Sequence, residues 1–250
     1  MTQLALEFEV AESPEEMFAR VFRTMKPRTA PPAFRVLFKP YANLDSKIRL
    51  EAGHEKIEVR MSDQLRTAPD SVREALAWVL LGKLYRKAIP PEIERNYKLF
   101  VNRADVRRRA LELRRERGRK RLVHPKGGVF DLEAMFADLN VRFFEGVLSR
   151  PALGWSPKPS RRLLGHYDPA HHAIVISSIF DTPKTPRYVV EYILYHEMLH
   201  IKHPAEYRTE RRCVHTPAFR AEREAVPAVR RSAQVPQALL MHALDVLRLR

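Results

Sequence analysis

The run His196-Glu197-Met198-Leu199-His200 brings together the residue types that metal-assisted hydrolysis needs. Histidines at i and i+4 lie one turn apart on the same face of a helix, so both imidazoles can reach one ion. Zinc suits such a pair: neutral imidazole is a good ligand at about 2.0–2.1 Å, and the ion's filled d shell imposes no geometry of its own. Glu197 follows the first histidine and falls to the side of the metal. There it is placed to take a proton from water that the ion has acidified. A structural site has no use for a carboxylate beside its ligand, so the group reads as catalytic.

A catalytic zinc takes a third protein ligand and keeps a position open. The candidates are His203, His215, Glu206, Glu210, Glu222 and Glu224. His203 shares the helix face, but three ligands from one straight helix rarely converge on a tetrahedral ion. Pro204 ends that helix at once, so His203 is expected as a solvated residue at the helix end. His215 directly precedes Thr216-Pro217, an N-cap and N1 pair that starts a second helix. A ligand reached through a loop can approach the ion from a new direction, so His215 is preferred and a glutamate is the alternative. Donors for a tetrahedral oxyanion would come from Tyr195, Tyr207, Arg208 or His203.

The surrounding pattern supplies a helix for the motif. Thr185-Pro186 reads as N-cap and N1, and Tyr188 to Leu194 forms a buried stripe, giving a helix over about 186–202. Strands are expected at 152–156, 162–167 and 173–177, after a helix that begins near Asp131. The first half follows the same order. A helix opens at Ser13-Pro14-Glu15-Glu16, strand-like runs follow at Phe34–Phe38, Lys47–Leu50 and Lys56–Met61, and an amphipathic helix spans about 71–87. Met17-Phe18-Ala19 parallels Met135-Phe136-Ala137, Pro32–Pro40 parallels Pro151–Pro159, and Val59–Ser62 parallels Ile174–Ser177. These matches predict a duplication. Carried along the local offset, Gly82, Arg86 and Val101 stand where His196, His200 and His215 stand, so the first lobe is expected to bind no metal.

An Arg-rich stretch at about 103–121 reads as a helix, and His124-Pro125-Lys126-Gly127-Gly128 as a linker. Two domains are expected, 1–124 and 125–250. Lys and Arg outnumber Asp and Glu by 45 to 30, a net charge of +15 with a pI near 10.2. A positive field of that size attracts polyanions, with nucleic acid as the expected partner through a basic surface. The single cysteine, Cys213, excludes a disulfide framework and a multi-cysteine zinc ribbon. No stretch has the run of about 18 uncharged apolar residues that a membrane helix needs, and the N-terminus lacks a basic leader. The expected location is the cytoplasm.

The second half resembles the SprT-like zinc metallopeptidases and, more distantly, the YgjP-like group. The resemblance covers about 131–227 and rests on several motifs in order: Leu139-Asn140-Val141-Arg142-Phe143-Phe144, Leu153-Gly154-Trp155-Ser156, Leu164-Gly165-His166-Tyr167, Ile174-Val175-Ile176-Ser177, Tyr195–His200 and His215-Thr216-Pro217-Ala218-Phe219. Thr216-Pro217 replaces the glycine that usually follows the third ligand. The resemblance implies His196, His200 and His215 as zinc ligands and Glu197 as general base. It also implies an α+β, zincin-like (minigluzincin-type) fold, with the active-site helix on a small sheet. The expected function is zinc-dependent hydrolysis of protein or peptide substrates, including proteins associated with nucleic acid. The alternative is a nucleic-acid-binding or scaffold protein whose zinc site is idle or structural.

Overall fold

Ser13 starts the first helix as its sequence requires: its hydroxyl accepts from the Glu16 amide while the Glu16 carboxylate accepts from the Ser13 amide, with Pro14 in the first turn. The computed structural model describes residues 12–51, 55–208 and 211–224. Helix α1 (Pro14–Met25) turns Met17, Phe18, Val21 and Phe22 into a core against strands β1 (Ala33–Lys39), β2 (Ser46–Leu50) and β3 (Lys56–Ser62). Helix α2 (Asp70–Tyr85) adds Val72, Leu76, Leu80 and Leu81 to the same core. Helices α3 (Pro91–Val101) and α4 (Ala104–Arg117) follow. Helix α3 has no counterpart among the elements expected from the sequence.

The chain forms two compact units that divide in sequence between Arg117 and Gly118. In the second unit, Asp131 accepts from the Glu133 and Ala134 amides and so caps helix α5 (Leu132–Phe144). Strands β4 (Ala152–Trp155), β5 (Gly165–Asp168) and β6 (Ala173–Ile176) precede helix α6 (Arg187–Lys202). A short hairpin, β7 (Glu206–Arg208) and β8 (Arg211–Cys213), then leads to helix α7 (Pro217–Glu224). The segment His124–Gly128, expected as a linker, packs within this unit. Trp155 Nε1 donates to the Pro125 carbonyl at 3.0 Å, and the Gly128 amide donates to Asp181 at 2.7 Å. Strand β5 begins at Gly165 rather than at 162, so it is shorter than the apolar pattern suggested.

The architecture is α+β, and the two units share one topology. Sheet order is β1-β3-β2 in the first and β4-β6-β5 in the second. In each, the first strand runs parallel to the central one and the second antiparallel to it. Ser62 and Ser177 each precede a 3-10 turn, and Pro69 and Pro186 each precede a helix of 16 residues with no side-chain cap. Val59–Ser62 and Ile174–Ser177 therefore correspond as expected.

Other correspondences move. With β3 matched to β6, the register equates Arg35 with Ala152, so the match of Pro32–Pro40 with Pro151–Pro159 is two residues out. A slip of two keeps every side chain on its own face, which is why the pattern tolerated it. Counted from the proline before each helix, Val79 and Lys83 stand where His196 and His200 stand, not Gly82 and Arg86. Arg86 lies outside α2, in a left-handed conformation that ends it (φ 52°). Ile89, two residues before Pro91, takes the place that His215 holds before Pro217, and Val101 instead closes α3. Val, Lys and Ile offer no set of metal ligands.

Candidate metal centre

Helix α6 carries the site through the middle of the second unit. It begins at Arg187 with Pro186 as its cap residue, one position later than the Thr185-Pro186 pattern indicated, and no side chain caps it. Burial holds it instead. Tyr188, Val189, Val190 and every residue from Tyr192 to Leu199 are buried, and α6 packs on α5, β5, β6 and α7. His196 and Glu197 are drawn into this packing and are 2% and 3% exposed.

The three histidines assemble as the sequence indicated. Rings of His196, His200 and His215 stand with every pair of centroids 5.1 Å apart. One nitrogen from each lies within 4.8 Å of the other two, a set that one ion can draw together. Thr216 places His215: its hydroxyl accepts from the Phe219 amide at 3.2 Å and starts α7 beside α6. The donor chemistry fits a metal. His196 Nδ1 is buried without a hydrogen-bond partner, and burial, reinforced by its two neighbouring histidines, pushes His196 down to about 2. Burial, then His215 and Arg212, lowers His200 to about 4. His215 is lowered by burial and then by Arg223 and Arg220. All three imidazoles are therefore neutral near pH 7, with lone pairs free for a cation.

The other third-ligand candidates among the described side chains lie elsewhere or are engaged. His203 is not solvated: it ends α6, with its side chain 16% exposed and Nε2 3.2 Å from Glu222 Oε1. That is an ion-pair distance without hydrogen-bond alignment. Glu222 is also bound by Lys202 at 2.9 Å. Glu206 opens β7 and Glu224 pairs with Arg223 at 3.3 Å, while Glu210 lies outside the described residues. Of the oxyanion candidates, Tyr195 donates to the Glu222 carbonyl at 3.1 Å and packs on Phe143 and Phe144, so its hydroxyl is committed to joining α6 to α7. Tyr207 is exposed on β7, with the Arg212 guanidinium 5.9 Å over its ring. Arg208 belongs to β7, and its side chain lies outside the described residues.

Two further residues, Phe219 and Gly165, shape the site without being ligands or the base. Phe219 is fully buried and packs on all three histidines, with centroids 4.6 Å from His215, 4.7 Å from His200 and 5.1 Å from His196. Its position three residues after the helix-starting Thr216 was the available signal. Gly165 opens β5 against α6. A Cβ there would come within 2.8 Å of Ile193 Cγ2, 3.1 Å of Glu197 Oε1 and 3.2 Å of Glu197 Cγ. The absence of that carbon leaves the Glu197 carboxylate its space. Gly165→Ala should therefore keep the bound metal, because no ligand is touched, and should lower activity by displacing Glu197. Metal analysis beside a hydrolysis assay checks this, and full activity in the variant would contradict it.

No protein-family model, no curated protein and no solved structure matches this chain. Among the described residues, no helix is long and apolar enough to cross a membrane.

Proposed function

We propose that this chain is a zinc-dependent metallopeptidase acting through His196, His200, His215 and Glu197. The observation that carries the reading is a buried carboxylate next in sequence to a three-histidine cluster that holds its imidazoles neutral. His196, His200 and His215 would hold the zinc ion, which would supply a Lewis acid able to acidify water and polarise a carbonyl. The Glu197 carboxylate takes the proton of the attacking water and returns it to the leaving amine. Phe219 packs on all three rings and so restricts their planes. Gly165 leaves the Glu197 carboxylate its space. The resemblance to the SprT-like metallopeptidases supports the same assignment, and the net charge of +15 suits substrates held on nucleic acid without favouring either reading.

The second reading, a nucleic-acid-binding or scaffold protein with an idle zinc site, draws on that same charge. One experiment separates them. Purified protein should contain about one zinc per chain and cleave casein. A zinc chelator should abolish cleavage, and added zinc should restore it. Zinc content without cleavage would favour the second reading, and absence of bound metal would remove both.

A further inference from the structure

The Arg-rich stretch at about 103–121 is largely engaged within the fold. It is not one helix: α4 ends at Arg117, which is tied to Asp63 at 2.8 Å and to the Tyr41 carbonyl at 3.2 Å. Arg103 pairs with Asp105 at 2.9 Å and Arg109 with Glu112 at 3.3 Å. Lys120, in the second unit, pairs with the buried Asp168 at 3.1 Å and lies 2.6 Å from His166 Nε2. Arg107, Arg114 and Arg115 are engaged as well.

The outward face of the first unit's sheet is different. Side chains alternate along each strand, so Val36, Ile48, Ile57, Val59 and Met61 enter the core. Arg35, Lys39, Lys47, Arg49, Lys56 and Arg60 are exposed on the other side. The register puts Arg35, Glu58 and Arg49 in one row across the strands, and Leu37, Arg60 and Lys47 in the next. Among the described residues, only Arg60 of the six cations has an ion pair, to Glu58 at 2.7 Å. Glu58 is the one acid within the strands on this face, with Asp45 and Glu51 at the ends of β2. Lys47 and Arg60 are direct cross-strand partners, where like charges destabilise a sheet. The topology does not demand such a surface, because in the second unit every residue of the central strand β6 is buried.

We propose that this face binds the phosphodiester backbone of duplex DNA without regard to sequence. Lys47 stands about 4.8 Å from Arg60 across the strands and about 6.7 Å from Arg49 along its own, while Arg35 and Lys39, like Lys56 and Arg60, are about 13 Å apart along theirs, so the face offers cations to several phosphates over roughly 20 Å. Within the strands the face has no aromatic side chain, and the one ring beside it, Tyr41, is covered by the Lys47 ammonium at 5.7 Å, so unpaired bases find no stacking platform there. Its apolar side chains within the strands, Ala33 and Leu37, are too little for the anchored core of a protein interface. Duplex phosphates need neither. The inference is independent of the metal and peptidase readings, because binding is measured without hydrolysis.

The test is fluorescence anisotropy of the full chain with a labelled 20-base-pair duplex, across a salt series. Wild type should bind at 50 mM salt and weaken steeply as salt rises. The combined variant Lys39→Gln, Lys47→Gln and Arg49→Gln should bind about tenfold or more weakly and show a salt slope smaller by about 2 to 3, about one unit per lost phosphate contact. Glu58→Gln should tighten binding, a gain that misfolding cannot produce. Zinc content and casein cleavage should be the same in the combined variant as in wild type. Four results would overturn the proposal: no duplex binding at 50 mM salt, wild-type affinity in the combined variant, tighter binding of the single strand than of the duplex, or loss of binding only when Arg107, Arg108 and Arg114 on α4 are reversed.

Discussion

Glu197→Gln should retain its zinc and lose peptide hydrolysis by about 10²- to 10⁴-fold, the range that a positioned general base contributes. The amide has the shape of the carboxylate, so it fits the same space beside Gly165 and Ile193. It cannot accept the proton of the attacking water. None of the three histidines changes, so metal content per chain should match wild type. Glu197 is 3% exposed, so bulk water is poorly placed to replace it as base. Metal analysis and casein cleavage on one preparation read both halves of the expectation. A Glu197→Gln protein with wild-type activity would falsify the assignment of Glu197 as the base.

His215→Ala should weaken zinc binding by at least about 100-fold, more than the 10- to 100-fold typical of removing a residue that only orients a ligand. His203→Ala should change it little. In sequence, His203 shares the face of the HEMLH helix, whereas His215 precedes the Thr216-Pro217 start of a second helix. The structure agrees: His215 completes the 5.1 Å triangle with His196 and His200, whereas His203 ends α6 facing Glu222. Competition with a chromophoric chelator measures both affinities. Losing zinc from His203→Ala while His215→Ala keeps it would show that the third ligand is the wrong histidine. Because Phe219 packs on His215 at 4.6 Å, a melting curve should accompany the measurement so that loosened packing is not read as lost ligation.

Much of the site was legible because its determinants are local. An i, i+4 histidine pair with an intervening glutamate needs only a helix, and the apolar run from Tyr188 to Leu194 declares one. Thr216-Pro217 announces a helix start, which is why a loop-borne His215 could be preferred. The repeated order of elements was also visible, since strand and helix periodicities are written within each segment. Helix α3 and the β7–β8 hairpin were missed. The hairpin's strands have three residues each, too short for alternation to register, and α3 has no buried residue to mark its stripe.

The tertiary structure decided whatever depends on register and on packing between distant segments. The pairing of Arg35 with Glu58, and of Ala152 with Ala173, moved the correspondence of the two units by two residues. The helix starts at Pro69 and Pro186 moved the vacant ligand positions to Val79 and Lys83. Strand pairing also revealed the cationic sheet face, because its members come from three separate runs that no linear window joins. The same holds for Gly165 beside Glu197 and for Phe219 beneath the histidines. The sequence by itself determined which residues could bind a metal and move a proton, since identity and helical spacing settle that. Only the fold decided which candidates converge, because convergence is set by long-range contacts whose geometry is not written in any one segment.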